Sequence, residues 1–200
     1  MKILNRLYYT DYISISALLF AWAGILFLLI GKAEIAIYLS LLSFIFDLLD
    51  GFVARKTNVF SDIGARLDTH VDVFLYLIFS CILFLFYIGK LDWHNITVTF
   101  IVLVFGILRL IRFVENGIII NKRKEYYVGL PVYFPYFIII YTYLIDKAFN
   151  INYHFFTEII LLVTSFLMIS EIKHRKTRNP IILGALILSI TILNIYVHNK

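Results

Sequence analysis

Apolar residues in this chain follow neither the alternation of a strand nor the one-sided stripe of a soluble helix. They run in seven blocks, at 12 to 30, 34 to 55, 62 to 88, 95 to 114, 130 to 148, 154 to 172 and 180 to 198, each near the ~20 residues that a bilayer-crossing helix needs. Polar punctuation separates them: Gly31-Lys32, the link from Lys56 to Ser61, Gly89-Lys90-Leu91-Asp92, the loop from Glu115 to Glu125, Asp146-Lys147, and the basic run from Lys173 to Arg178. Pro131 and Pro180 stand where a proline opens a helix, at the fifth and seventh blocks. Residues 1 to 10 mix Lys2 and Arg6 with apolar and aromatic positions, which suits a short helix in the headgroup layer. Ala21-Trp22-Ala23 superficially resembles a signal-peptide cleavage site, but the apolar run continues to Ile30 and is long enough to span, so it is expected to be retained. The pattern predicts an all-α integral membrane protein. Its expected architecture is a bundle of six to seven transmembrane helices with a short N-terminal interfacial helix, forming a single membrane-embedded domain over residues 1 to 200.

Composition agrees with the pattern. Hydrophobic residues make up 62% of the chain and mean hydropathy is +0.90, against about 45 to 50% apolar in soluble domains. The net charge of +5 is informative through its distribution. With the N-terminus inside, Lys2, Arg6, Arg55, Lys56, Arg66, Arg109, Arg112, Lys122, Arg123, Lys124, Lys173, Arg175, Lys176 and Arg178 fall at cytoplasmic ends, which is 14 of the 18 basic residues. Lys32, Lys90, Lys147 and Lys200 remain outside. That asymmetry fixes the expected orientation, and basic residues beside a bilayer point to anionic lipid as partner, with no nucleic acid expected. The lone Cys81 lies in an apolar run, can form no internal disulfide and suggests no thiol chemistry.

Against this background stand four acids: Asp47-Leu48-Leu49-Asp50-Gly51-Phe52-Val53-Ala54-Arg55, then Gly64-Ala65-Arg66-Leu67-Asp68-Thr69-His70-Val71-Asp72. A carboxylate at the centre of a membrane helix costs roughly 2.5 to 3.5 kcal/mol on insertion scales, so such acids are functional candidates by default. Residues three and four apart share a helix face. Asp47, Asp50, Gly51 and Ala54 therefore form one stripe, and Gly64, Asp68 and Asp72 another, on two helices that can converge on one polar spot. Two unit charges 4 Å apart repel by about 4 kcal/mol at an effective dielectric of 20, so cations must lie between them. Oxygen-only ligation suits Mg²⁺, Mn²⁺ or Ca²⁺, and the absence of a Cys/His cluster argues against zinc. His70 lies about 200° around the helix from Asp68 and is expected to be structural.

The pattern D-x2-D-G-x2-A-R-x8-G-x3-D-x3-D resembles the signature of the CDP-alcohol phosphatidyltransferase family, and all eight fixed positions match. At average residue usage a chance match is on the order of 10⁻⁸. Further short elements, Arg109-Leu110-Ile111-Arg112-Phe113, Gly129-Leu130-Pro131 and Leu167-Met168-Ile169-Ser170, are similar to those of the serine-using branch. The resemblance implies an enzyme of phospholipid synthesis that transfers a phosphatidyl group from CDP-diacylglycerol, or a related CDP-lipid, to serine, releasing CMP. It implies Asp47, Asp50, Asp68 and Asp72 as ligands of a two-metal Mg²⁺ or Mn²⁺ site, with Asp72 also as the general base. It further implies that Asp50, Gly51, Ala54, Arg55 and Gly64 hold the CDP-lipid, and that the protein is a homodimer; the charge asymmetry puts the active site on the cytoplasmic face of what is expected to be a prokaryotic cytoplasmic membrane. Arg109 and Arg112, three residues apart at the cytoplasmic end of the fourth span, are candidates for the acceptor or lipid phosphate. Glycerol 3-phosphate, inositol phosphate and choline are the alternative acceptors, and a cation transporter is the alternative of another class. Two stretches depart from the family pattern: the first span opens Thr10-Asp11-Tyr12-Ile13-Ser14, without Pro-Asn or Asn-Leu-Leu-Thr, and Asp72 is followed by Val73-Phe74-Leu75-Tyr76, without Ser-Phe-Gly.

Overall fold

The computed structural model describes residues 7–57, 61–116, 119–121, 124–175 and 180–199. Most of the proposed headgroup-layer helix, residues 1 to 6, lies outside the described residues. The chain divides into two compact units, Met1–Phe79 and Ser80–Lys200.

In the first unit, α1 (Tyr9–Leu29) and α2 (Ala33–Thr57) pack along each other, with α3 (Asp62–Asp72) against α1. The turn between α1 and α2 follows from Gly31, whose φ of +82° is one that side chains rarely adopt. Lys32 N–H donates to Phe27 O at 2.9 Å and Gly31 N–H to Leu28 O at 3.1 Å, the paired bonds by which a left-handed glycine closes a helix end. Thr10, Asp11, Ser14, Ala17, Ala21 and Gly24 form a buried small and polar stripe on α1, and small side chains let membrane helices approach closely. Ser43 Oγ of α2 crosses that seam to donate to Ala17 O at 2.7 Å. The opposite surface of α1 carries exposed Leu19, Trp22 and Leu26, as a lipid-facing helix should. Ser61 starts α3, its hydroxyl accepting from Ile63 N–H and Gly64 N–H at 3.1 Å each.

Helical structure continues beyond Asp72 through a π-helical segment at Val73–Ile78, α4 (Phe79–Leu83) and a second π-helical segment at Phe84–Ile88. Neither wide-turn segment contains Gly or Pro, so neither was signalled by the sequence. Such segments recur at functional sites, and the first one follows the last aspartate directly.

The second unit contains α5 (Trp93–Asn116), α6 (Tyr133–Phe149), α7 (His154–Ile169) and α8 (Pro180–His198), with α5 packed on α7 and α6 on α7 and α8. The observed helices follow the seven predicted apolar blocks. Four stretches, Tyr9–Leu29, Ala33–Thr57, Ile63–Ile88 and Trp93–Glu115, are long and apolar enough to cross a membrane, while α7 is a shorter apolar helix.

The loop expected from Glu115 to Glu125 and the basic run from Lys173 contain strands in their place. β1 (Ile119–Asn121), β2 (Lys124–Val128) and β3 (Lys173–Arg175) form an antiparallel sheet in the order β1-β2-β3. Ile120 pairs with Glu125 and Tyr127 with His174. β-branched and aromatic residues favour that pairing, but its third strand lies some fifty positions away in the chain, beyond the reach of a local pattern. Lys122, Arg123, Lys176 and Arg178 lie outside the described residues.

Candidate active site

Helix α2 supplies Asp47 and Asp50, and α3 supplies Asp68. One carboxylate oxygen from each lies within 4.8 Å of the others. Asp50 is buried, Asp47 half-buried and Asp68 exposed, so the cluster opens on the α3 side. Asp47 Oδ2 accepts the Tyr76 hydroxyl at 2.9 Å, whereas its Oδ1 is buried with no hydrogen-bond donor directed at it among the described residues. Asp50 Oδ2 accepts the Ser14 hydroxyl at 2.5 Å. An orphaned buried oxygen among like-charged neighbours is what a divalent cation satisfies, and the oxygen-only donor set suits Mg²⁺ or Mn²⁺. The residues present therefore fit such an ion. Asp72 is half-buried and within electrostatic reach of Asp47, but it stands outside the trio whose oxygens converge.

The other motif residues gather around this cluster in ways the sequence did not specify. A methyl group on Gly51 would lie 3.2 Å from Arg55 Nη1, so the guanidinium folds back over the glycine on the same helix. A Cβ on Gly64 would lie 2.5 Å from Asp11 Oδ1 of α1. The absence of a side chain at Gly64 is thus what lets α1 and α3 meet. Ala54 is half-buried and Arg55 exposed. His70 is exposed, with Nδ1 2.6 Å from Arg66 O on its own helix, as expected of a residue on the far side of α3.

Three side chains at the cluster were missed. Ser14 holds Asp50, Tyr76 holds Asp47, and Asp11, fully buried, packs on Gly64. Asp11 Oδ2 also accepts Tyr8 N–H at 2.9 Å at the start of α1, and its Oδ1 has no hydrogen-bond partner among the described residues. The signal was present: Asp11 and Ser14 are one turn apart and in line with Ala17, Ala21 and Gly24, a stripe that only makes sense facing protein.

The two candidate arginines belong to the second unit. Arg109 is 6% exposed, with its guanidinium 5.0 Å from the centroid of the Phe113 ring. Arg112 is occupied as a brace. Its Nη1 donates to Ile169 O at 2.9 Å and its Nη2 to Met168 O at 2.7 Å and Val128 O at 3.1 Å. A cation over the last carbonyls of a helix is well placed with respect to the helix dipole. Gly129, at φ +75°, makes room for this arrangement, since a side chain there would overlap Met168 O and the Arg112 guanidinium. Gly129-Leu130-Pro131 is accordingly a connector pinned to the end of α7, with Gly129 N–H on Ile172 O at 2.9 Å and Leu130 N–H on Leu167 O at 3.0 Å.

Comparison with known proteins places this geometry in context. The family model described as CDP-alcohol phosphatidyltransferase matches residues 7–170. The chain is 33% identical over 172 residues to a CDP-diacylglycerol–serine O-phosphatidyltransferase of Methanocaldococcus jannaschii, covering 86% of this chain and 76% of that protein. It is 30% identical over 146 residues to a protein of the same name from Helicobacter pylori, covering 70% of this chain and 60% of the relative. It is also 31% identical over 159 residues to an archaetidylserine synthase of Methanothermobacter thermautotrophicus, covering 78% and 64% respectively. This chain thus spans about three-fifths to three-quarters of the length of these relatives. With the family model matching most of its length and the acidic signature assembled on two adjoining helices, the chain belongs to the CDP-alcohol phosphatidyltransferase family.

Proposed function

We propose that this protein transfers the phosphatidyl group of a CDP-linked lipid to the hydroxyl of serine, releasing CMP. The observation that carries the proposal is the convergence of Asp47, Asp50 and Asp68 oxygens from two helices within 4.8 Å. The choice of serine is supported by the names of the relatives, two CDP-diacylglycerol–serine O-phosphatidyltransferases and an archaetidylserine synthase. Whether the lipid is diacylglycerol-based or an archaeal ether lipid is a question of tails, which the surrounding bilayer accommodates.

In the reaction, the serine hydroxyl oxygen forms a bond to the lipid-bearing phosphorus as the bond from that phosphorus to the bridging diphosphate oxygen breaks. CMP departs with the bridging oxygen, and the hydroxyl proton goes to Asp72. Asp47, Asp50 and Asp68, with Asp72 beside them, would hold the divalent ions. Bound Mg²⁺ or Mn²⁺ would neutralise the diphosphate and stabilise the charge that builds on the leaving phosphate. Tyr76 and Ser14 orient two of the carboxylates, so little reorganisation is needed when substrate arrives. Arg55, exposed beside Gly51, pairs with a phosphate oxygen of the nucleotide lipid, while Gly51 and Ala54 leave space for the CDP group. Gly64 contributes by admitting Asp11 to the edge of the site. Arg109 is our candidate for the acceptor or lipid phosphate region, while Arg112 braces the end of α7 and β2 through the carbonyls of Met168, Ile169 and Val128. The excess of Lys and Arg at one set of helix ends supports a site facing the cytoplasm.

The decisive experiment incubates the purified protein with CDP-diacylglycerol and Mg²⁺ or Mn²⁺, offering serine, glycerol 3-phosphate, inositol phosphate and choline in separate reactions, and measures CMP. Release that depends on serine and stops with EDTA is expected. Release with another acceptor alone would move the assignment within the family, and EDTA-resistant release would remove the metal-dependent reading.

A further inference from the structure

Asp11 of α1 is fully buried, yet it belongs neither to the converging trio nor to the acidic signature. It is the third residue of α1, and its Oδ2 accepts the N–H of Tyr8, the residue that caps the helix, at 2.9 Å. A first-turn acid needs only that bond, and a helix start in water supplies the rest of its solvation. Here the second oxygen has been taken out of water as well. Oδ1 has no hydrogen-bond partner among the described residues and lies 2.5 Å from the place a Cβ on Gly64 would take. Burying a carboxylate oxygen without a donor is unfavourable, so another interaction must hold it there.

The far side of the contact supplies one. Gly64 is the third residue of α3, as Asp11 is the third of α1. A Cα–Cβ bond is tilted toward the N-terminus of its helix. An oxygen in the empty Cβ position of Gly64 therefore lies on the N-terminal side of that residue, against the first turn of α3, where the helix dipole presents about half a positive charge. Ser61 Oγ already accepts the N–H groups of Ile63 and Gly64, so what reaches Asp11 is the field of the helix end, without a direct bond. Asp11 thus stands between two helix N-termini, its own and that of α3, whose summed partial charges balance one carboxylate.

Both ends of this contact lead to the metal-site acids. Gly64 and Asp68 are one turn apart on α3 and share a face, so whatever fixes Gly64 fixes the approach of Asp68. Ser14, three residues beyond Asp11 on α1, donates to Asp50 Oδ2 on α2. Successive turns of α1 thereby hold the two helices whose carboxylate oxygens come within 4.8 Å of one another. We propose that Asp11 is a positioning residue: its buried carboxylate fastens the start of α3 to the start of α1 and so sets the distance of Asp68 from Asp47 and Asp50. Asp11 acts through α3, and the proposal rests on the reading of the trio as a divalent-cation site. A neutral side chain in place of Asp11 frees α3 to shift on α1 and opens the trio. A side chain on Gly64 does the same with the charge intact.

The test is Mn²⁺ binding to the intact, detergent-solubilised protein, followed by electron paramagnetic resonance without lipid substrate, alongside thermal unfolding. Asp11→Asn keeps the shape and removes the charge, and should weaken Mn²⁺ binding about tenfold or more, as loss of an outer support of a metal ligand does. Gly64→Ala should weaken it similarly, and the double variant should lose little beyond either single change, because both act on one contact. Ser43→Ala removes the bond from α2 to Ala17 O and serves as the control; it should lower the melting temperature and leave Mn²⁺ affinity within about twofold of the unaltered protein. Unchanged affinity in Asp11→Asn, or an equal loss in Ser43→Ala, would overturn the positioning role while the metal site stands. Absence of Mn²⁺ binding by the unaltered protein would overturn the metal site and the proposal with it.

Discussion

Ser14 on α1 donates its hydroxyl to Asp50 Oδ2 on α2 at 2.5 Å, and both residues are buried. One oxygen of a signature carboxylate is thereby held by a helix that lies outside the signature. Hydrogen bonds to metal-ligating groups set their orientation and basicity, and their loss typically lowers metal affinity about 10- to 100-fold. Ser14→Ala should raise the Mg²⁺ or Mn²⁺ concentration needed for half-maximal CMP release by that factor, while saturating metal restores most of the rate. A metal titration of the variant checks this, and an unchanged half-saturation point would assign Ser14 to packing alone.

The approach of Asp11 to Gly64 makes a second prediction. In an exposed helix interior, Gly→Ala stabilises by about 1 kcal/mol. Here the added methyl would sit 2.5 Å from Asp11 Oδ1, so the sign reverses and Gly64→Ala should cost roughly 1 to 3 kcal/mol. Thermal unfolding in detergent measures it. Combining Gly64→Ala with Asp11→Ala should be less damaging than the sum of the two single changes, because each removes one side of the same contact.

Asp72 stands beside the converging trio, a position that suits a base better than a principal ligand. Asp72→Asn should bind CDP-lipid with near-normal affinity and lose turnover by about 10²- to 10⁴-fold. Nucleotide-lipid binding by calorimetry, set against single-turnover CMP release, separates the two effects. Near-normal turnover would transfer the base role elsewhere.

The two arginines should separate in their phenotypes. Arg112→Gln removes donors from three carbonyls at the junction of α7 and β2 and should lower stability by about 2 kcal/mol or more, given that hydrogen bonds to charged groups contribute about 1.5 to 3 kcal/mol each. Arg109→Lys keeps the charge but loses the planar fork, and should act on KM for lipid or acceptor with little change in melting temperature. Parallel melting and kinetic measurements on the two variants distinguish a brace from a phosphate contact.

The membrane-spanning character, the helix ends and the acidic array were legible in the chain because each depends on neighbours within a few turns. Hydropathy marks the spans, a glycine at position 31 marks a helix stop, and aspartates at three- and four-residue spacing mark one face. Spacing within each helix also places Asp47 beside Asp50 and Asp68 beside Asp72, whatever the rest of the molecule does. What local pattern did not carry was the choice of partners. Ser14 meets Asp50, Tyr76 meets Asp47 and Asp11 meets Gly64 only because particular faces of separate helices are pressed together. Arg112 became a brace because the end of α7 and strand β2 arrive beside it, and the third strand of the sheet is contributed from far along the chain. Such contacts are set by packing between elements distant in sequence, where a single residue has no periodicity to announce its role, and they become visible only when the faces have met.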